Sequence, residues 1–147
     1  VAADLEGPFD VVTLLIGVNN QFRGGALTEF EAGLASLTDT AIGFADGDAG
    51  RVLLISIPDW GVTPFAAAAP RAEIAGEIDM FNNAVRDRAD KAGTGFIGII
   101  AISRRAADES ELVASDGLHP SGWMYSEWVE LIYPKVIRVV DATDYSV

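Results

Sequence analysis

The chain has 147 residues, half of them apolar, with ten Lys and Arg against 22 Asp and Glu and a net charge of −12. That length holds one hydrophobic core, so a single domain over 1–147 is expected; the scattered basic residues form no stripe that would bind nucleic-acid phosphates. With no cysteine, disulfides and thiolate metal sites are excluded, and the longest apolar stretches, 11–18 and 96–102, fall far short of the roughly 20 residues that span a bilayer.

The chain opens Val1-Ala2-Ala3-Asp4-Leu5-Glu6-Gly7-Pro8, without a basic, signal-like segment. A sequence starting on valine is expected to be trimmed or to be a piece of a longer protein, and a soluble, cytoplasmic protein is the default expectation. Residues 9–16 then form the first β-rich apolar run. The first helix is predicted over 28–44, with a capping box in Thr28-Glu29-Phe30-Glu31 and Phe30, Leu34, Leu37 and Ala41 on one face. Asp46-Gly47-Asp48 reads as a turn, and the second strand runs over 51–57.

A second helix begins near Pro70, carries Ile74, Ile78, Phe81, Val85 and Ala89 on a stripe, and stops at Gly93. The third strand is predicted over 95–101. All three strands are continuously apolar, the pattern of strands buried on both faces. A last helix starts at a Ser121 cap and turns Tyr125, Trp128, Leu131 and Ile132 inward, with Pro134 kinking or interrupting it before 136–140. Strands alternating with helices imply a parallel sheet with right-handed crossovers and helices on both faces.

In open α/β sheets, ligands sit beyond the carboxyl ends of the strands. Three predicted loops lie there: 17–22, 58–65, and a longer excursion through Ser103 and Arg104 to Asp116 and His119. The histidine is the only one in the chain. A carboxylate three residues before it can hold Nδ1 and leave Nε2 free as a base, while Asn19, just past a strand end, can donate to a developing oxyanion. Either motif alone has an ordinary reading, Asn19-Asn20 as a turn pair and His119 as a surface residue.

Together, Gly17-Val18-Asn19-Asn20, Ile55-Ser56-Ile57-Pro58-Asp59-Trp60-Gly61-Val62-Thr63-Pro64 and Asp116-Gly117-Leu118-His119-Pro120-Ser121 resemble the sequence blocks of the SGNH hydrolases, the GDSL lipases and esterases. The resemblance implies a flavodoxin-like three-layer α/β/α fold with a five-stranded parallel sheet ordered 2-1-3-4-5. It also implies a carboxylic ester hydrolase in which His119 is the base, Asp116 its orienter and Asn19 an oxyanion donor. Asn20 stands where the family usually has Asp. The family's Gly-Asp-Ser block with the nucleophile, and the glycine that gives a second oxyanion donor, are absent from this sequence, which therefore reads as the C-terminal two thirds of the family domain.

Among the internal serines only Ser56, near a strand end, and Ser121, close after the base, come into consideration as nucleophile. Neither lies in a Gly-x-Ser-x-Gly elbow, and a core hydrogen bond for Ser56 and an N-cap role for Ser121 are the expected uses. Trp60, Phe22 and Phe65 are the candidate walls for a small-molecule ester substrate; no metal or cofactor is implied. The missing first strand would leave the edge over residues 11–16 bare, and bare apolar edges pair with other chains. A second copy or an associated N-terminal fragment is the expected partner. Two alternatives stand beside this reading: a catalytically silent binding or oligomerisation module, and direct hydrolysis with a metal held by Asp59 and Asp116, for which one His and no Cys make a poor site.

Overall fold

The computed structural model describes residues 6–144; Val1 to Leu5 of the readings above lie outside them. Three parallel strands, β1 (Val12–Leu15), β2 (Val52–Ile55) and β3 (Gly95–Ile97), pair in the order β1-β2-β3, with Val12 opposite Val52 and Leu53 opposite Gly95. Helices α1 (Val18–Phe22), α2 (Leu27–Phe44), α3 (Arg71–Ala92), α4 (Ile100–Arg104) and α5 (Gly122–Asp144) complete the described chain, with short 3-10 turns between.

The central strand explains the layering. All four β2 residues are buried, and alternation sends them to opposite faces. Val52 and Leu54 join a core with Phe30 and Leu34 of α2 and Ile74, Ile78, Phe81, Val85 and Ala89 of α3. Leu53 and Ile55 join a second core with Ile97, Ile99, Leu112, and Met124 and Trp128 of α5. This is the predicted three-layer α/β/α arrangement, present here as a three-stranded part of it. The predicted stripe on α3 is buried in full, and Gly93 ends the helix with φ 73°.

Several local expectations are corrected. The third strand stops at Ile97 and the chain turns into α4, because Ile99 is buried as a helix-leading residue and its N–H donates to Ser56 Oγ at 2.9 Å; a run that is apolar throughout does not distinguish strand from helix. The 17–22 loop is a helix, α1. The Thr28 capping box does not form: α2 begins a residue earlier, with Ala26 at the N-cap and no side-chain cap. Leu37 is exposed and Thr38 is buried in its place, its hydroxyl donating to the Leu34 carbonyl at 2.6 Å. On α5, Trp128 and Met124 point inward while Tyr125 and Leu131 are exposed. Pro134 does not interrupt α5; both it and Glu130 are exposed, so the carbonyl freed by the missing N–H lies on the solvent side.

Candidate active site

Asp116 and His119 lie in a tight loop closed by an antiparallel bridge between Val113 and Pro120 and by the Ala114 N–H donating to the His119 carbonyl at 2.8 Å. Gly117, at φ 75°, supplies the left-handed step that the turn needs. Asp116 divides its carboxylate. Oδ1 accepts the backbone N–H groups of Leu118 and His119, at 2.9 and 3.0 Å, and Oδ2 meets His119 Nδ1 at 2.7 Å. The backbone N–H of His119, with that of Leu118 and then the ring, holds the Asp116 carboxyl down to about 2, below the ordinary carboxylate value. Among the described residues no protein group hydrogen-bonds Nε2, and the ring is 71% exposed. An imidazole oriented through Nδ1 with Nε2 open is equipped to accept a proton.

Asn19 is presented differently. Gly17, at the start of α1, has φ 124°, and a Cβ there would stand 2.8 Å from the Phe30 ring. Only glycine lets the chain leave β1 and turn at once into α1 against that ring. Asn19 is thereby exposed on the first turn of α1, past the carboxyl end of β1.

A cavity of about 350 Å³ joins these elements. Asn19, His119, Trp60 and Phe22 line it, with Leu15 at the end of β1 and Met124 and Trp128 at the start of α5. Its remaining lining is mostly apolar, including Val18, Pro58, Val113, Leu118 and Pro120. Phe65 is not part of the lining. It stands beside Phe22 and Trp60, with ring centroids 6.1 and 6.2 Å away, and its N–H donates to the Gly117 carbonyl at 2.9 Å, tying the aromatic loop to the histidine loop.

The serines near the site are engaged elsewhere. Ser56 is 1% exposed and accepts from Ile99 N–H. Ser121 Oγ donates to the Glu111 carbonyl at 2.5 Å and accepts from Met124 N–H at 3.3 Å, an N-cap on α5. Ser103, passed over in the sequence as a nucleophile, does line the cavity, yet it is 1% exposed, accepting from Asp59 N–H and donating to the Ile100 carbonyl, both at 3.0 Å. Asp59 is not offered to a cation: Gly61 N–H and the Arg104 guanidinium, each at 2.9 Å, take its two oxygens. Among the described residues no cluster of three potential metal ligands occurs, and no helix is long and apolar enough to cross a membrane.

Sequence reasoning also missed Gln21, which is buried and hydrogen-bonded to Trp60 and Glu77. Its signal was faint: one more polar residue after two asparagines in a segment read as a loop.

Residues 2–126 match the model of the GDSL-like lipase/acylhydrolase family. Among solved structures, the chain is similar to a mutant of Axe2, an acetyl-xylooligosaccharide esterase from Geobacillus Stearmophilus, with TM-score 0.67 and 19% identity over 92% of this chain and 62% of that one. It is similar to TesA, with TM-score 0.64 and 20% identity over 88% of this chain and 63% of that one. It is also similar to the psychrotrophic esterase EstA from Pseudoalteromonas sp., solved inhibited by monoethylphosphonate, with TM-score 0.62 and 16% identity over 90% and 63%. At these identities the likeness is one of fold. The chain spans 62–63% of the length of these structures, and no curated protein matches it.

Proposed function

Since the chain belongs to the GDSL-like lipase/acylhydrolase family, we propose that it carries the base, its orienting carboxylate and an oxyanion donor of an ester hydrolase working through an acyl-serine. The observation that carries this reading is the juxtaposition of an Asp116-held imidazole, open at Nε2, with Asn19 on one apolar cavity.

In the proposed reaction, His119 Nε2 takes the proton of a serine hydroxyl as its oxygen attacks the ester carbonyl. The carbonyl electron pair moves onto oxygen, where the Asn19 amide donates to it. Collapse of the tetrahedral intermediate breaks the bond to the alcohol, which leaves with the proton from Nε2. Water then repeats the sequence on the acyl-serine, giving up a proton to His119 and releasing the acid. Asp116 stays ionised throughout and stabilises the imidazolium. The apolar cavity, with Trp60 and Phe22 in its wall and Phe65 behind them, suits the acyl or alcohol part of a small neutral ester.

Because Ser56, Ser103 and Ser121 are committed to backbone partners, the nucleophile in this reading comes from an associated N-terminal portion of the same domain, paired along the free edge of β1. Leu15 and Ile16, 41% and 36% exposed at that edge, are the apolar groups such a segment would cover. Treatment with a fluorophosphonate, followed by intact-mass analysis, tests the proposal. An adduct on a second polypeptide co-purifying with this chain is the expected result. An adduct on this chain would put an internal serine in the mechanism, and no adduct would favour a silent binding module in which Asp116 and His119 lack a nucleophile.

A further inference from the structure

Helix α1 has only five residues, and its N-cap, Gly17, contributes no side-chain cap. Helices this short do not hold themselves together, so the placement of Asn19 depends on an external anchor. The buried side chain of α1 is that of Gln21. It is 4% exposed, between the exposed Asn20 and Phe22, although glutamine is usually a surface residue.

Its carboxamide is used at both ends. Oε1 accepts the indole N–H of Trp60 at 2.6 Å, and Nε2 donates to Glu77 Oε2 at 2.8 Å. An indole N–H can only donate and a carboxylate can only accept, so the pair of partners fixes which end of the amide faces which. A hydrocarbon at this position meets neither partner, and a carboxylic acid meets both only if protonated. Through these two bonds α1 is fastened to the turn bearing Trp60 and to α3, whose opposite face lies in the core. The same contact seats the Phe22 ring against Trp60, with centroids 5.0 Å apart.

We propose that Gln21 is a positioning residue for the reaction, holding the Asn19 donor and the Trp60 wall in one fixed arrangement through its paired hydrogen bonds to Trp60 and Glu77. The inference rests on the oxyanion role given to Asn19 above.

The test compares Gln21→Met, which keeps length and loses both bonds, with Gln21→Glu and with the exchange Gln21→Glu plus Glu77→Gln. In the exchange, the carboxylate on α1 accepts from the indole and from the amide now carried by α3, so both bonds are rebuilt. Two readouts are taken. The first needs no catalysis: amide hydrogen exchange over residues 18–25 and the Trp60 indole N–H resonance of the chain itself, with protection in β2 and α3 as the check on folding. The second is kcat and KM in a hydrolytically active preparation.

Gln21→Met and Gln21→Glu are expected to speed exchange in α1 by about tenfold or more, the scale of one lost buried hydrogen bond, and to shift the indole resonance. They should lower kcat by about tenfold while KM moves less, and the exchange variant should restore both readouts. Unchanged α1 exchange in Gln21→Met overturns the proposal. So does full kcat in Gln21→Met where Asn19→Ala loses kcat, or an exchange variant as impaired as Gln21→Glu. Full kcat in Asn19→Ala overturns instead the oxyanion reading and the catalytic role of Gln21 with it; the hydrogen-exchange result still decides whether Gln21 holds α1.

Discussion

The two arms of the candidate site are held in opposite ways. His119 is fixed by its own loop: the groups that hydrogen-bond it, the Asp116 carboxylate and the Ala114 N–H, lie within five residues, and both it and Asp116 are exposed. Asn19 sits on a five-residue helix fastened by a buried glutamine to residues 39 and 56 positions further along the chain. A locally built element keeps its geometry wherever its loop is intact. One built from distant parts keeps it only while the whole sheet and α3 are in place, so partial unfolding should disturb the donor before the base.

Substitutions can break this contrast, beginning with the largest effect. In an active preparation His119→Ala should lower kcat by at least about 10⁴-fold with the fold intact, measured by steady-state kinetics and circular dichroism; retained turnover removes it as the base. Asp116→Asn keeps an acceptor for the loop N–H groups but loses the charge facing Nδ1, and should cost up to about 10⁴-fold in kcat with little change in melting temperature. Asn19→Ala should cost roughly 10²–10³-fold in kcat and much less in KM. The local arm is then the one whose loss matters most to chemistry, and the distant arm the one whose supports matter most.

Stability measurements sharpen the contrast further. Gly17→Ala combines a positive φ with a clash on Phe30 and should destabilise the chain by about 1–3 kcal/mol in urea titration. Gly117→Ala, also at positive φ but with its nearest neighbour 3.6 Å away, should fall at the lower end of that range. The smallest effect belongs to pH. Since the Asp116 carboxyl is held at about 2, below its unfolded value, its stabilising bonds are fully present above the ordinary carboxylate range and are lost as pH falls through about 2. A carboxyl-carbon NMR titration reads this directly, and an acid limb in kcat/KM lying well above that pH cannot come from Asp116.

What could be read in the sequence follows the same division. The Asp116-Gly117-Leu118-His119 turn is written in consecutive residues, so its carboxylate-imidazole contact was legible before any fold was known. The α3 stripe was legible too, because five apolar residues repeat at helical spacing over a helix of 22 residues. The end of β3 was not: Ile97, Ile99 and Ile100 are all in or against the cores, and periodicity vanishes where every side is packed. Neither was Gln21, whose partners are brought to it only by the packing of α3 beside the Trp60 turn. Leu37 and Thr38 exchanged places while Phe30, Leu34 and Ala41 kept theirs: the buried face is centred slightly toward Thr38, whose hydroxyl is satisfied by the Leu34 carbonyl, and leucine is left at the rim.

The contact of Gly17 with Phe30 bears on how such chains diverge. The Phe30 ring packs at 4.7 Å on that of Phe81, so the space denied to a side chain at position 17 is set by an aromatic pair in the core. A glycine that looks like part of a catalytic signature is here also a record of what α2 and α3 carry behind it. Lineages that shrink Phe30 would gain room at position 17 but not a different backbone angle, and φ 124° lies outside the left-handed region that Asn or Asp tolerates, so glycine would still be required there. Position 30 can therefore drift while position 17 stays glycine.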